Sequence, residues 1–260
     1  METLVDYAGP AETGGPFARL TLNSPHNRNA LSTALVEQLH QGLRDAAADA
    51  AVRAVVLGHA GNTFCAGADL SEAGSPSSAY DMAVARAGEL TAVLRDIVSS
   101  PLPVIAAIDG HVRAGGFGLV GACDIAVAGP RSTFALTEAR IGVAPAIISL
   151  TLLPKLSPRA AARYYLTGET FDAATAADIG LITMAAEDVD AAVGGLLADV
   201  GRGSPQGLAA SKALTTAAVL EGFDRDAERL AEESARLFVS DEAHEGMLAF
   251  LQKRAPSWAS

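Results

Sequence analysis

An α/β fold with parallel strand pairing and a helical C-terminal part is predicted by two features of the chain. Apolar strand-like runs alternate with helical stretches up to about residue 145, which calls for crossover connections. After about residue 157 strand signals become sparse, and an Ala-, Leu-, Glu- and Arg-rich tail keeps helical periodicity to its end. Half of the 260 residues are hydrophobic, enough for one large core.

In chain order, residues 20–22 close a short extended segment, and Ser24-Pro-His-Asn-Arg-Asn29 reads as a turn-rich loop. Ser32 stands where an N-cap is expected, and Leu35, Leu39 and Leu43 follow at helical spacing. Arg53-Ala-Val-Val-Leu-Gly58 reads as a buried strand, and residues 74–78, small and proline-containing, as a mobile loop. Pro103-Val-Ile-Ala-Ala-Ile108 is a second buried strand, residues 114–122 a small-residue helix, and Asp124-Ile-Ala-Val-Ala128 a third strand. Residues 201–205 read as a linker into the helical tail, which ends in a helix over residues 241–253.

The formal net charge of −11 argues against a nucleic-acid partner, because phosphate contacts need a basic face. Cys65 and Cys123 form no CxxC pair, and no His or Cys cluster has metal-ligand spacing, so two reduced, packed cysteines and no metal are expected. No apolar run reaches membrane-spanning length, and the acidic N-terminus lacks a signal pattern; a cytoplasmic protein without a membrane partner is the expectation.

Two segments place glycine directly after a strand: Asn62-Thr-Phe-Cys-Ala-Gly-Ala-Asp69 and Gly110-His-Val-Arg-Ala-Gly-Gly-Phe-Gly118. Glycine there allows a positive φ and a close approach of backbone or ligand. A helix beginning at Gly115 would direct free N–H groups and its positive dipole end outward. Side by side, two such corners can form a pair of converging donors, an oxyanion hole, although Gly-Gly before a helix also serves plain close packing. No Walker lysine follows the second segment.

These residues carry a resemblance. Phe64-Cys-Ala-Gly-Ala-Asp-Leu70, Pro103-Val-Ile-Ala-Ala-Ile-Asp-Gly110, Ala114-Gly-Gly-Phe-Gly-Leu and Cys123-Asp-Ile-Ala are similar to the crotonase (enoyl-CoA hydratase/isomerase) superfamily. So are Asn27-Arg-Asn-Ala-Leu31, Phe134-Ala-Leu-Thr-Glu-Ala-Arg-Ile-Gly142, Leu166-Thr-Gly-Glu-Thr-Phe-Asp-Ala173 and the tail Glu245-Gly-Met-Leu-Ala-Phe-Leu-Gln-Lys-Arg254. Within it, Gly-Gly-Phe-Gly-Leu-Val120, Ala144-Pro-Ala-Ile-Ile-Ser149 and Ala161-Ala-Arg-Tyr-Tyr165 resemble bacterial enoyl-CoA hydratases of the methylglutaconyl-CoA hydratase kind. The resemblance implies a crotonase-like spiral of ββα units over residues 1–203, which carries the acyl-CoA site. It also implies a helical trimerisation region over residues 204–260, and hence a homo-oligomer, either a trimer or a dimer of trimers.

By the same resemblance, the thioester carbonyl of an acyl-CoA accepts N–H bonds from Ala66 and Gly115, which favour the enolate over the ground state. The family's two-glutamate hydratases carry one carboxylate three residues after the second oxyanion glycine, where this chain has Gly118. The other carboxylate is present as Glu138, whose pKa would rise against an apolar acyl pocket. Hydration of a 2-enoyl-CoA by Glu138 ranks first. Double-bond isomerisation by the same residue, or an inactive acyl-CoA-binding homologue, are the alternatives. Coenzyme contacts are expected from Arg28, Ala30, Ala66, Asp69, Leu70, Gly115 and Lys253; coenzyme A is part of the substrate, and no separate cofactor is implied. Asp124, His59 and His111 read as structural.

Overall fold

The computed structural model describes residues 2–69 and 79–259; Leu70 and the expected loop at residues 74–78 lie outside the described residues. The chain opens with β1 (Val5–Ala8), α1 (Pro10–Thr13), β2 (Phe17–Leu22) and α2 (Thr33–Ala48). Ser32 caps α2 as its sequence position suggests: its Oγ accepts from the Leu35 N–H at 3.2 Å, and Leu35, Leu39 and Leu43 are buried.

The chain then repeats one pattern. β3 (Ala54–His59) and β4 (Thr63–Cys65) are followed by α3 (Ala79–Ser99), and β5 (Val104–Ile108) and β6 (His111–Arg113) by α4 (Gly115–Ala122). β7 (Ile125–Ala128) and β8 (Thr133–Ala135) come next, with a 3-10 turn over Glu138–Ile141. The first strand of each pair joins a larger sheet and the second joins a smaller one, so the chain spirals between two sheets.

Four short helices and two short strands complete the core: α5 (Ser149–Leu152), α6 (Pro158–Thr167), β9 (Phe171–Asp172), α7 (Ala173–Asp178), β10 (Met184–Ala185) and α8 (Val189–Val200). The larger sheet runs β1-β2-β3-β5-β7-β10 and the smaller β4-β6-β8-β9. Pairing is parallel except where β1 meets β2 and β9 meets β8. This is the spiral of ββα units that the resemblance implies.

Burial explains why the longer strands are continuous apolar runs. In β3, Val55 and Leu57 face the main core while Val56 faces a second cluster beneath α8, so both faces are covered. The structure adds elements with no counterpart in the sequence-based expectation: α3, β1, β10 and all four strands of the smaller sheet.

The helical tail consists of α9 (Pro205–Phe238) and α10 (Asp241–Leu251). The Ser204 side chain caps α9, with Pro205 at its first position, where a missing N–H costs nothing. α9 packs along α3 and sinks Phe223 into the main core. α10 packs on the 3-10 turn that begins with Glu138. Gly246 permits this, since a Cβ there would lie 2.5 Å from the Ile141 carbonyl carbon.

Candidate active site

Three adjacent parallel strands of the smaller sheet, β4, β6 and β8, end on the same side. β4 runs into Ala66–Asp69, β6 into Ala114 and the start of α4, and β8 into the turn carrying Glu138. The carboxyl ends of parallel strands thus bring together the two glycine corners and the one matched carboxylate.

The corners touch. Gly67 has φ 94°, and a Cβ on it would lie 2.5 Å from the Ala114 Cβ and 3.3 Å from the Gly115 nitrogen. A Cβ on Gly116 would lie 2.8 Å from both Cβ and O of Cys65. Only glycine allows this approach. Between them Ala114 is held at φ 45°, ψ −121°, a conformation that costs a non-glycine residue about 1–3 kcal/mol. The strained peptide lets α4 begin immediately, with the Gly115 N–H at its open N-terminus and no acceptor among the described residues.

Which amide of the first corner is free differs from the expectation. The Ala66 N–H donates to the Arg28 carbonyl at 3.1 Å and is therefore committed to the fold. The Gly67 N–H lies 3.4 Å from the Cys65 Sγ. Ala68 forms a parallel bridge to Leu31: the Leu31 N–H donates to the Gly67 carbonyl at 2.7 Å, and the Asp69 N–H donates to the Leu31 carbonyl at 3.2 Å. Extended backbone alternates, so the Ala68 N–H points away from Leu31, and among the described residues it has no acceptor. The open amides of the two corners are those of Ala68 and Gly115, whereas Ala66 ties the Arg28 loop to β4.

That loop is pinned by Asn29, at φ 53°, whose side chain donates to the carbonyls of Thr63 (2.7 Å) and Ala60 (3.0 Å) and accepts from the Ser24 N–H (2.7 Å). Arg28 is left exposed, its guanidinium without a partner among the described residues. Ala30 is buried beside it. Asp69 accepts from the Asn27 side chain at 3.2 Å, and its carbonyl accepts from Arg86 at 3.1 Å, so it joins the same loop to α3. Lys253 lies exposed past the end of α10, and Arg254 is held by both carboxylate oxygens of Glu245 at 2.7 Å. Leu70 lies outside the described residues.

Glu138 is buried, and its Oε2 has no hydrogen-bond partner among the described residues. Burial pushes its carboxyl up to about 7, a value suited to taking and returning protons near neutrality. The vacant side-chain position at Gly118 is filled by neighbours: a Cβ there would lie 2.6 Å from the Ile148 Cγ2 and 3.0 Å from the Leu94 Cδ1. Ile148 is held over it because the Thr151 hydroxyl, one turn on, bonds the Gly118 carbonyl at 3.2 Å. Leu31 and Leu90 stand over Gly115, so the ground around the open amides is apolar.

Asp124, His59 and His111 each make hydrogen bonds within the fold. Asp124 accepts from the Val104 N–H at 2.7 Å and pairs with Lys212 at 2.8 Å. The Nε2 of His59 accepts from the Asp109 N–H at 3.0 Å, and Nδ1 of His111 meets the Thr133 hydroxyl at 2.8 Å. Both cysteines are free and buried, their thiols pushed up to about 12 by desolvation. Among the described residues no group of His, Cys, Asp or Glu is arranged to hold a metal, and no helix is long and apolar enough to cross a membrane.

The family model described as enoyl-CoA hydratase/isomerase matches residues 12–260. The crystal structure of an enoyl-CoA hydratase from Mycobacterium avium superposes with a TM-score of 0.94 at 82% identity, covering 99% of this chain and 100% of that one. An enoyl-CoA hydratase of Mycobacterium tuberculosis is 32% identical over 260 residues, covering 95% of this chain and 94% of its own. The 2,3-dehydroadipyl-CoA hydratase of Escherichia coli is 32% identical over 242 residues, with 92% and 93% covered. With the fold, the paired corners and these matches in agreement, the chain belongs to the enoyl-CoA hydratase/isomerase family, whose enzymes act on acyl-CoA thioesters.

Proposed function

We propose that the protein is an enoyl-CoA hydratase in which the N–H groups of Ala68 and Gly115 hold the thioester oxygen and Glu138 is the sole acid–base carboxylate. The observation that carries this reading is the juxtaposition at one end of β4, β6 and β8: two amides without acceptors among the described residues, and a buried carboxyl whose Oε2 has no partner among them. Negative charge grows on the thioester oxygen as C3 is attacked, so fixed donors stabilise the enolate more than the substrate. The water oxygen bonds to C3, its proton passes to Glu138, the C2–C3 π bond opens, and the carboxyl returns a proton to C2.

Arg28, free at the edge of the Asn29-pinned loop, is the cation for a coenzyme phosphate, with Lys253 as the second. Ala30, Ala66 and Asp69 line the same loop pair, and Leu70 continues it in sequence. Proton transfer between C2 and C4 without water is the second reading, favoured by the apolar filling at Gly118.

Conjugated enoyl thioesters absorb in the near ultraviolet, and hydration removes that band. Straight, branched and carboxylated 2-enoyl-CoAs should therefore bleach with the wild type. The carboxylated member of that panel reflects the dehydroadipyl-CoA relative. Glu138→Gln, matched for folding, should lose about 10²–10⁴-fold in turnover with little change in acyl-CoA affinity. A loss under about tenfold would assign the chemistry elsewhere. Homo-oligomerisation through residues 204–260 is part of this reading, supported by the exposure of Leu214, Phe250 and Leu251 on α9 and α10. A monomer mass in light scattering would refute it.

A further inference from the structure

A water bonded only to Glu138 can still turn about that bond; a second acceptor is needed to aim its lone pair at C3. Gly118 offers none, and Ile148 and Leu94 occupy its side-chain space. The residue after Ile148 supplies a different kind of group. The Ser149 hydroxyl donates to the Pro145 carbonyl at 2.7 Å and lies 3.3 Å from the Tyr165 hydroxyl.

Serine carries a single hydrogen, and a carbonyl only accepts, so that hydrogen is committed to Pro145. The Tyr165 hydroxyl must therefore donate to Ser149. Its own oxygen is left with lone pairs alone, as an acceptor of fixed polarity. Tyr165 sits on α6, which packs against the turn carrying Glu138. Burial, with the Glu138 charge adding to it, pushes the phenol up to about 12, so it keeps its proton and its polarity through the neutral range.

We propose that the Tyr165 hydroxyl, oriented by Ser149, accepts the second hydrogen of the water that Glu138 activates. This inference rests on the hydratase reading. The water then has one hydrogen on Glu138 and one on Tyr165, and a lone pair of its oxygen faces C3. The proton to Glu138 is the one transferred; the hydrogen toward Tyr165 stays on oxygen and becomes the hydroxyl hydrogen of the product.

Two reactions of the same site separate this role from a merely structural one. Hydration of a 2-enoyl-CoA needs the positioned water. Exchange of the C2 protons of a saturated acyl-CoA, such as butyryl-CoA in deuterated water, needs Glu138 and the two amides but no attack at C3. Tyr165→Phe keeps the ring and removes the acceptor. It should lower kcat for hydration about 10–100-fold, leave KM within about threefold, and leave C2 exchange unchanged. Ser149→Ala frees the phenol hydrogen to reverse its polarity and should show the same selective loss, whereas Ser149→Thr keeps the relay and should retain hydration. Tyr165→Phe that hydrates within about threefold of wild type, or that loses exchange in proportion to hydration, overturns the assignment. A wild type that exchanges C2 protons but hydrates no enoyl-CoA of the panel overturns the hydratase reading itself, an outcome visible before any variant is made.

Discussion

Glu138 combines burial, an oxygen unpartnered among the described residues and a carboxyl raised to about 7, and these have an energetic consequence separate from catalysis. Between about pH 4.5 and 7 the unfolded carboxyl is ionised while the folded one still holds its proton. The group therefore contributes its full stability below about 4.5, and that contribution drains away as pH rises through 7. A rise from 4.5 to about 7 corresponds to roughly 3 kcal/mol. Glu138→Gln, neutral at every pH, should thus be more stable than wild type by roughly 1–3 kcal/mol at pH 8, with the gain shrinking toward pH 5. Urea midpoints at the two pH values measure it; equal stabilities at pH 8 would mean that the folded carboxyl is solvated after all. Hydration by wild type should rise with pH through the same value, since the base must be ionised. Glu138 was legible in the sequence because its flanking residues match a family motif. The free amide was not: the corner was found, but Ala66 was expected and Ala68 is open. Consecutive amides of extended backbone point in opposite directions, and only the pairing of Ala68 with Leu31 sets which one faces the site.

At the level of elements, legibility followed length and two-sided burial. β3, β5 and β7 read as strands because each is a run of apolar residues packed on both faces. The strands β4, β6 and β8 have three residues each, too few for any periodicity, and they sit inside segments whose glycines dominate the local signal. Yet this smaller sheet is what aligns the site. α4 and α5 are coupled there: Gly118 has no side chain, Ile148 fills the space, and Thr151 bonds the Gly118 carbonyl. Restoring a carboxylate by Gly118→Glu would drive a side chain into Ile148 and Leu94 and bury an acid without a partner. Overpacking of this kind costs about 1–3 kcal/mol before desolvation is added. Gly118→Glu should lower Tm by several degrees, at about 2–4 °C per kcal/mol for a chain of this size, and Ile148→Ala in the same chain should recover part of the loss. A single variant with unchanged Tm would show that the site has room for two carboxylates.

Across the whole molecule, the question is whether residues 204–260 form a unit of their own, as the sequence pattern suggests, or fold with the core. Phe223 of α9 lies in the main core, and Lys212 of the same helix is buried. Its ammonium donates to the carbonyls of Ile97 (2.8 Å) and Leu102 (2.9 Å) and meets Asp124 at 2.8 Å, while Asp124 also accepts from the Val104 N–H. One side chain thus joins α9 to the end of α3, to the loop before β5, and to the start of β7. Desolvation lowers the Lys212 pKa, and the neighbouring Asp124 acts against that. Breaking a buried pair from one side leaves an uncompensated charge, a loss of about 3–5 kcal/mol in measured cases. Here two backbone carbonyls lose their donor as well. Lys212→Met keeps most of the side-chain volume and should therefore cost about 3–5 kcal/mol in chemical denaturation. Because α9 and the sheets share this anchor, wild type and variant should each unfold in one transition, with coincident curves from helix content and from the Trp258 signal near the C-terminus. A first transition confined to the helical tail, followed by unfolding of the sheets at the wild-type midpoint, would show instead that the two parts are independent and that Lys212 merely rests against the core.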